Sequence, residues 1–221
     1  MGDWIYRTSV DQDWISLIFF INLILVVGLN YSETNRFRDI LKVHLSSIYI
    51  SKYTSDRNLT FRDSFNILSA ALTITSLSLL ITWFMTEVFD SVLFAFEFYY
   101  ILLGITFLGL IRFITVRFVL KQMNMLNKIN IYQFRGFTHN TQFSIFLFIL
   151  LFIGHYAALS PGIIIGFLIL LILLWAILQA RILLSFIKSN PKDIFYLIFY
   201  LCTVKIAPWL WLYFLIIETR M

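Results

Sequence analysis

The chain has 221 residues, of which 60% are hydrophobic, 19% are aromatic and only 13% are charged. A water-soluble domain carries roughly 25% charged residues, so this composition excludes an ordinary soluble fold and favours a protein surrounded by lipid. The formal net charge is +5. Because the basic residues lie in short patches between apolar segments, they indicate membrane topology and not a nucleic-acid partner.

Six apolar segments account for most of the chain. A helix that spans the hydrocarbon core needs roughly 20 mainly apolar residues, and the segments are continuously apolar, which favours helices over the alternating pattern of a β-barrel. We therefore predict an all-α polytopic membrane protein in which residues 1–221 form a single transmembrane domain. The predicted transmembrane helices lie near residues 14–30, 64–86, 98–120, 141–159, 162–184 and 194–217.

Lysine and arginine predict the orientation of these helices. The five connections between them hold six, zero, five, zero and three basic residues. This alternation places the first, third and fifth connections in the cytoplasm and both termini outside, in the periplasm of a two-membrane bacterium. Asp3, Asp11 and Asp13 are unlike the basic start of a signal peptide, so we expect the first segment to remain as a helix.

Two segments on the predicted cytoplasmic side are amphipathic. One covers residues 36–50, and the other covers residues 121–132. A helix that lies in the headgroup layer explains both, and a docking surface for a partner is an open alternative. The residues of the first segment that we assign to a membrane-surface or docking role are Phe37, Arg38, Ile40, Leu41, Lys42 and Leu45.

Lys205 is the most unusual residue of the last predicted helix. It lies eleven residues into that helix, at roughly 1.5 Å per residue, and hence near the bilayer midplane, where an unpaired lysine is costly. Lys205 could donate to Asn22 at a similar depth, or to the Val204 carbonyl that Pro208 leaves free. Alternatively, Lys205 could face a carboxylate of another subunit or a lipid phosphate.

Other polar positions within the apolar segments have simpler interpretations. Arg112 is a second candidate for a polar intramembrane site, although snorkelling to the headgroups also explains it. Small residues on the second and fifth helices predict close helix packing. These small residues are Ser69, Thr73, Ser76, Gly162 and Gly166.

Motifs of known catalytic chemistry are absent from the sequence. There is no P-loop, GxGxxG, HExxH or GxSxG pattern. The histidines His44, His139 and His155 are far apart, and Cys202 is the only cysteine. We therefore expect no metal site, no cofactor and no enzymatic activity.

Three stretches of the chain resemble a family of uncharacterised membrane proteins. They are Asp13–Phe19, the basic Arg36-Phe37-Arg38 after the first helix, and Phe199–Pro208, where a Tyr-Leu-Cys-Thr run precedes a charged residue and a proline. This order resembles DUF4271, an inner-membrane family of Bacteroidota, in which the charged position is often glutamate and is Lys205 here. The resemblance implies a multi-pass inner-membrane location and no particular activity.

Two functional hypotheses follow. The first is a non-enzymatic inner-membrane subunit that assembles with other components of a bacterial envelope machine, such as a secretion or gliding apparatus. The second is a small transporter or lipid-handling protein with a polar site around Lys205. The expected partners are the lipid bilayer, other membrane-protein subunits and anionic lipid.

Overall fold

The computed structural model describes residues 13–42, 63–89, 95–122, 126–157 and 160–189. Within these ranges the chain forms six helices and no strand. Five of the helices are long and apolar enough to cross a membrane, which confirms the predicted all-α membrane fold. The sixth predicted span, at 194–217, lies outside the described residues. The helices are α1 (Asp13–Ser32), α2 (Thr34–Leu41), α3 (Ser64–Phe89), α4 (Ala95–Gln122), α5 (Leu126–Tyr156) and α6 (Pro161–Ser189).

Helix α5 begins well before the predicted span at 141–159. Its apolar stretch already starts at Phe134, and the predicted amphipathic segment at 121–132 is divided between the end of α4 and the start of α5. No proline interrupts α5. Its hydroxyl side chains also remain compatible with the helix, because they donate to backbone carbonyls one turn back, as Thr138 does to Phe134 at 2.9 Å.

Helices α3 and α5 form the centre of the bundle. α3 packs against α1, α4 and α5, and α6 packs mainly against α5. Half of the α5 span is buried within the protein, compared with 6% of the α4 span and 11% of the α6 span. Most of the surface of α4 and α6 is therefore apolar side chain that faces away from the described bundle.

The two ends of the bundle have separate apolar cores. We call the end where α1 finishes and α3 starts the basic end; its buried side chains are Leu29, Ile40, Phe65, Leu72, Phe134 and Ile145. We call the opposite end the aromatic end. Its buried side chains are Ile18, Phe19, Leu79, Phe98, Leu147, Phe148, Leu151, Ile164 and Leu168.

A close contact between α5 and α6 involves a glycine that the sequence pattern did not single out. A Cβ atom on Gly154 would lie 2.7 Å from Cδ1 of Ile164, so this position has no room for a larger residue unless Ile164 moves. Gly162 and Gly166, the pair expected to mediate packing, are exposed, and a Cβ on either would meet no atom within 4 Å. Among the described helices the predicted role of that pair is therefore not seen.

Candidate functional site

The sequence of α2 turns one arginine toward the interior and leaves its other basic residue outside. Arg36 and Ile40 are four residues apart and therefore share a face of the helix, and each is only 1% exposed. Phe37 is half-buried beside them, whereas Arg38 is exposed. The side chain of Arg36 thus enters the basic end of the bundle together with two apolar neighbours.

The guanidinium of Arg36 is held by residues from the start of α3. Its Nη1 donates to Oδ2 of Asp63 at 2.8 Å, and its Nη2 donates to Oδ1 of Asn66 at 2.7 Å. A second carboxylate, that of Glu33, lies 3.6 Å from Nη1. This fork uses the planar geometry of the guanidinium, which a lysine could not reproduce.

Two phenylalanine rings complete the enclosure. The Cζ atom of Arg36 lies 4.2 Å from the centroid of Phe65 and 5.5 Å from that of Phe134, which is contributed by α5. Cations over aromatic faces are stabilised by the ring quadrupole. The Nε atom of Arg36 is buried and has no hydrogen-bond partner in the described part of the chain. We call Arg36 with Glu33, Asp63 and Asn66 the arginine clasp.

The arginine clasp joins the two ends of the first connection. It links residues 33–36, at the start of α2, to residues 63–66, at the start of α3. The hydroxyls of Ser32 and Ser64 lie 3.0 Å apart and add a second link at the same level. Hydrogen bonds therefore hold together the two points at which the first connection leaves α1 and enters α3.

The predicted surface residues of this segment divide into two groups. Ile40 is buried in the apolar core of the basic end, so the structure corrects its assignment to a membrane or docking surface, and the half-buried Phe37 packs against the same core. The exposed group on the outer face of α2 comprises Arg38, Leu41 and Lys42. Leu45 lies outside the described residues.

Asn22 is hydrogen-bonded within the described bundle, and its predicted contact with Lys205 stays a prediction. Its amide nitrogen donates to the Ile18 carbonyl at 2.9 Å, and its Oδ1 accepts from the Thr75 hydroxyl at 2.6 Å. Thr75 lies eleven residues into α3, at roughly 16 Å from its start, so this bond crosses between α1 and α3 near mid-membrane. Lys205 and Pro208 lie outside the described residues.

Two further polar links cross between the helices nearer the basic end. The hydroxyls of Ser69 and Thr141 lie 3.1 Å apart and connect α3 with α5, in line with the packing predicted for Ser69. Asn140 accepts from Trp175 Nε1 at 2.9 Å and from Gln179 Nε2 at 3.2 Å, which connects α5 with α6. Polar side chains thus connect neighbouring helices in pairs.

Other polar positions lie outside these links. Arg112 is half-buried on α4, and the structure does not bring it near Asn22 or the arginine clasp in any described contact. Within the described ranges, no group of three or more potential metal ligands occurs.

Ring contacts dominate the aromatic end of the bundle. Phe19 lies within about 6 Å, centroid to centroid, of four rings of α5: 6.2 Å from Phe148, 5.7 Å from Phe152, 5.4 Å from His155 and 5.9 Å from Tyr156. A cavity of about 50 Å³ lies next to them. The cavity is lined by Ile15, Phe19, Leu79, Thr82, Trp83, Thr86, Leu151 and His155.

The distribution of basic residues along the sequence did not predict the arginine clasp. Arg36 counted as one of six basic residues in the first connection, and its partners Asp63 and Asn66 are 27 and 30 residues away. A local signal was present, because Arg36 falls on the apolar stripe of α2, four residues before Ile40. An arginine on the buried face of an amphipathic helix requires a partner.

Comparison with protein families finds a match over most of the chain. The profile of DUF4271, described as a domain of unknown function, matches residues 15–216. Comparison with curated proteins and with solved structures found no significant match. Because the matched region covers nearly the whole chain, this membrane-spanning helical protein belongs to the DUF4271 family.

Proposed function

We propose that this protein is a non-enzymatic subunit of the bacterial inner membrane that assembles with other components of an envelope machine of the secretion or gliding type. The observation that carries the proposal is the use of interior polar groups as links between helices. Asn22 bonds Thr75, Ser69 bonds Thr141, and Arg36 bonds Asp63. Polar groups committed to such links support a rigid structural role better than a substrate path.

The shape of the described bundle supports the same proposal. The cavity at the aromatic end measures about 50 Å³, so this cavity by itself is smaller than the roughly 300–1,000 Å³ of a usual small-molecule site. The outer helices α4 and α6 carry long apolar surfaces, including Phe107 on α4 and Phe167 on α6. Surfaces of this kind can be covered either by lipid or by the helices of a larger assembly.

The proposal includes an orientation, with both termini in the periplasm. It is supported by the alternation of basic residues between connections, and by the arginine clasp, whose helix α2 carries Arg38 and Lys42 on its exposed face. Single cysteines at Lys42 and Glu97, in a chain without Cys202, test it. A membrane-impermeant thiol reagent applied to intact spheroplasts should label position 97 and not position 42; the reverse pattern would contradict the orientation.

Co-purification tests the assembly. Native protein extracted with a mild detergent, after brief crosslinking in the membrane, should elute with other membrane proteins at a mass well above 26.1 kDa. We expect Lys205→Met to reduce recovery of these proteins, because the sequence predicts Lys205 near the middle of a membrane span, where a carboxylate of a partner would pair with it. Arg181→Met, at an exposed position of α6, is the matched control.

Two results would contradict the assembly. One is a protein that remains solitary both in mild detergent and after crosslinking. The other is a solitary protein that retains anionic lipid only when Lys205 is present, which would favour the lipid-handling function instead.

A further inference from the structure

We propose that the outer face of α2 is a binding site for the phosphate headgroups of anionic phospholipids, an inference that does not depend on the assembly role. Its residues are Arg38, Leu41 and Lys42, all of which are exposed. Arg38 lies in α2 and Lys42, four residues later, is the C-cap of that helix, so the two cations lie on one side of it. Leu41 is three residues from Arg38 and joins the same surface, where 39% of it is exposed.

The charge on this face is not neutralised by the described residues. Arg38 and Lys42 form no ion pair within the described part of the chain. The acidic residues nearby are placed elsewhere: Glu33 lies 3.6 Å from Arg36, and Asp39 is half-buried on the flank of α2. Among the residues that the structure describes, two positive charges therefore remain available to an anionic ligand.

The position of α2 identifies the membrane itself as the source of that ligand. The candidate membrane span Trp14–Ser32 ends at Ser32 and α2 starts at Thr34, so the face begins six residues after the end of the span. An exposed leucine between two cations suits the interface, where the apolar side chain enters the acyl region and the cations contact phosphates. Two cations near an anionic surface correspond to roughly a 30-fold preference over a zwitterionic surface.

The arginine clasp positions this face. Eight residues are too few for a helix that is stable by itself in water. Here α2 is fixed because Arg36 bonds Asp63 and Asn66 and because Ile40 is buried. The outer face is consequently held in one orientation before a lipid binds, which lowers the entropic cost of binding. Arg36 thus positions the lipid-binding face of α2 and does not itself contact the lipid.

Native mass spectrometry of the full-length protein in mixed micelles tests the site. The micelles contain equal amounts of phosphatidylglycerol and phosphatidylcholine, and the readout is the ratio of the two lipids retained. We expect the wild type to prefer phosphatidylglycerol. Arg38→Gln with Lys42→Gln should lower that preference roughly 30-fold, and each single substitution should lower it roughly fivefold. Arg181→Gln, which removes an exposed cation of α6, should leave it unchanged.

A substitution at Arg36 separates the effect of positioning α2 from the effect of net charge. Arg36→Lys keeps the net charge but loses the fork to Asp63 and Asn66. We expect it to lower the lipid preference several-fold while the far-ultraviolet circular dichroism stays close to that of the wild type. If Arg36→Lys does not fold, the two single variants of the exposed cations decide the question by themselves.

Several results would overturn the proposal. Loss of preference to the same extent in Arg181→Gln would show a general charge effect and no site on α2. Unchanged preference in the double variant would exclude the site. Displacement of phosphatidylglycerol by inorganic phosphate would identify a free anion as the ligand, and retention of an acidic protein on α2 in place of lipid would identify a protein-docking surface.

Discussion

The two ends of the bundle are held together in different ways. At the basic end, Arg36 forms hydrogen bonds of 2.8 Å and 2.7 Å whose directions are set by the guanidinium. At the aromatic end, Phe19 contacts four rings at centroid distances from 5.4 to 6.2 Å, next to a cavity of about 50 Å³. Directional bonds specify one geometry, whereas ring contacts tolerate several. We therefore expect the basic end to be the more sensitive to conservative substitution.

The largest effect is expected from Arg36→Ala. It removes the cation of a buried ion pair and with it the donor that Asp63 and Asn66 share, at a cost of about 3 kcal/mol in the free energy of unfolding. The low end of the usual range applies because Asp63 retains 19% exposure and can be hydrated. Reversible unfolding in mixed micelles measures the cost. Arg38→Ala, its exposed neighbour, is the control and should cost less than about 0.5 kcal/mol.

Phe19→Ala should have the next largest effect. The ring is 4% exposed, so its removal leaves a cavity. Because lipid is as apolar as the protein interior, the loss of stability comes mainly from lost packing contacts. We expect about 2 kcal/mol in the same measurement. Phe19→Leu should cost about 1 kcal/mol or less. If Phe19→Leu destabilises the protein more than Arg36→Lys does, the basic end is not the more sensitive of the two to conservative substitution.

Gly154→Ala should destabilise the protein by about 1 kcal/mol, because its Cβ would lie 2.7 Å from the buried Ile164. Gly162→Ala is a matched control, since a Cβ there meets no atom within 4 Å. Shortening the neighbour with Ile164→Val should reduce the cost of Gly154→Ala. Equal costs at the two glycines would contradict the close approach of α5 and α6.

The smallest effect is expected for the mid-membrane bond between Asn22 and Thr75. A double-mutant cycle with Asn22→Ala and Thr75→Val should give a coupling energy of about 0.6 kcal/mol, the average for such bonds in membranes. A coupling energy near zero would show that both side chains find other partners. A much larger one would indicate that the polar links, and not the two ends, dominate stability.

Elements with a local sequence signal could be predicted from the sequence alone. Continuous apolar length predicted the five described spans, whereas the predicted contact of Asn22 with Lys205 lies outside the described residues. The start of α5 was missed because polar residues around Asn140 and Gln142 interrupt its hydropathy, although they are accommodated inside the bundle. Periodicity cannot distinguish a polar residue that faces water from one that faces another helix.

The partners of the arginine clasp could not be predicted because they depend on tertiary structure. Arg36 and Arg38 have the same charge, and only the spacing of Arg36 from Ile40 distinguishes them locally, yet one is buried and the other exposed. Their difference arises from Asp63 and Asn66 at the start of α3 and from the rings of Phe65 and Phe134. The same partners explain why the predicted membrane-surface residue Ile40 is interior.

The arginine clasp also bears on how the protein is made. Glu33, Arg36, Asp63 and Asn66 all precede the end of α3, so a ribosome that has just released α3 has already supplied every hydrogen-bonding member of the clasp. The first two membrane-spanning helices can therefore be joined as a hairpin during insertion, before α4 is synthesised. Phe134, arriving later with α5, then closes over a guanidinium that is already neutralised.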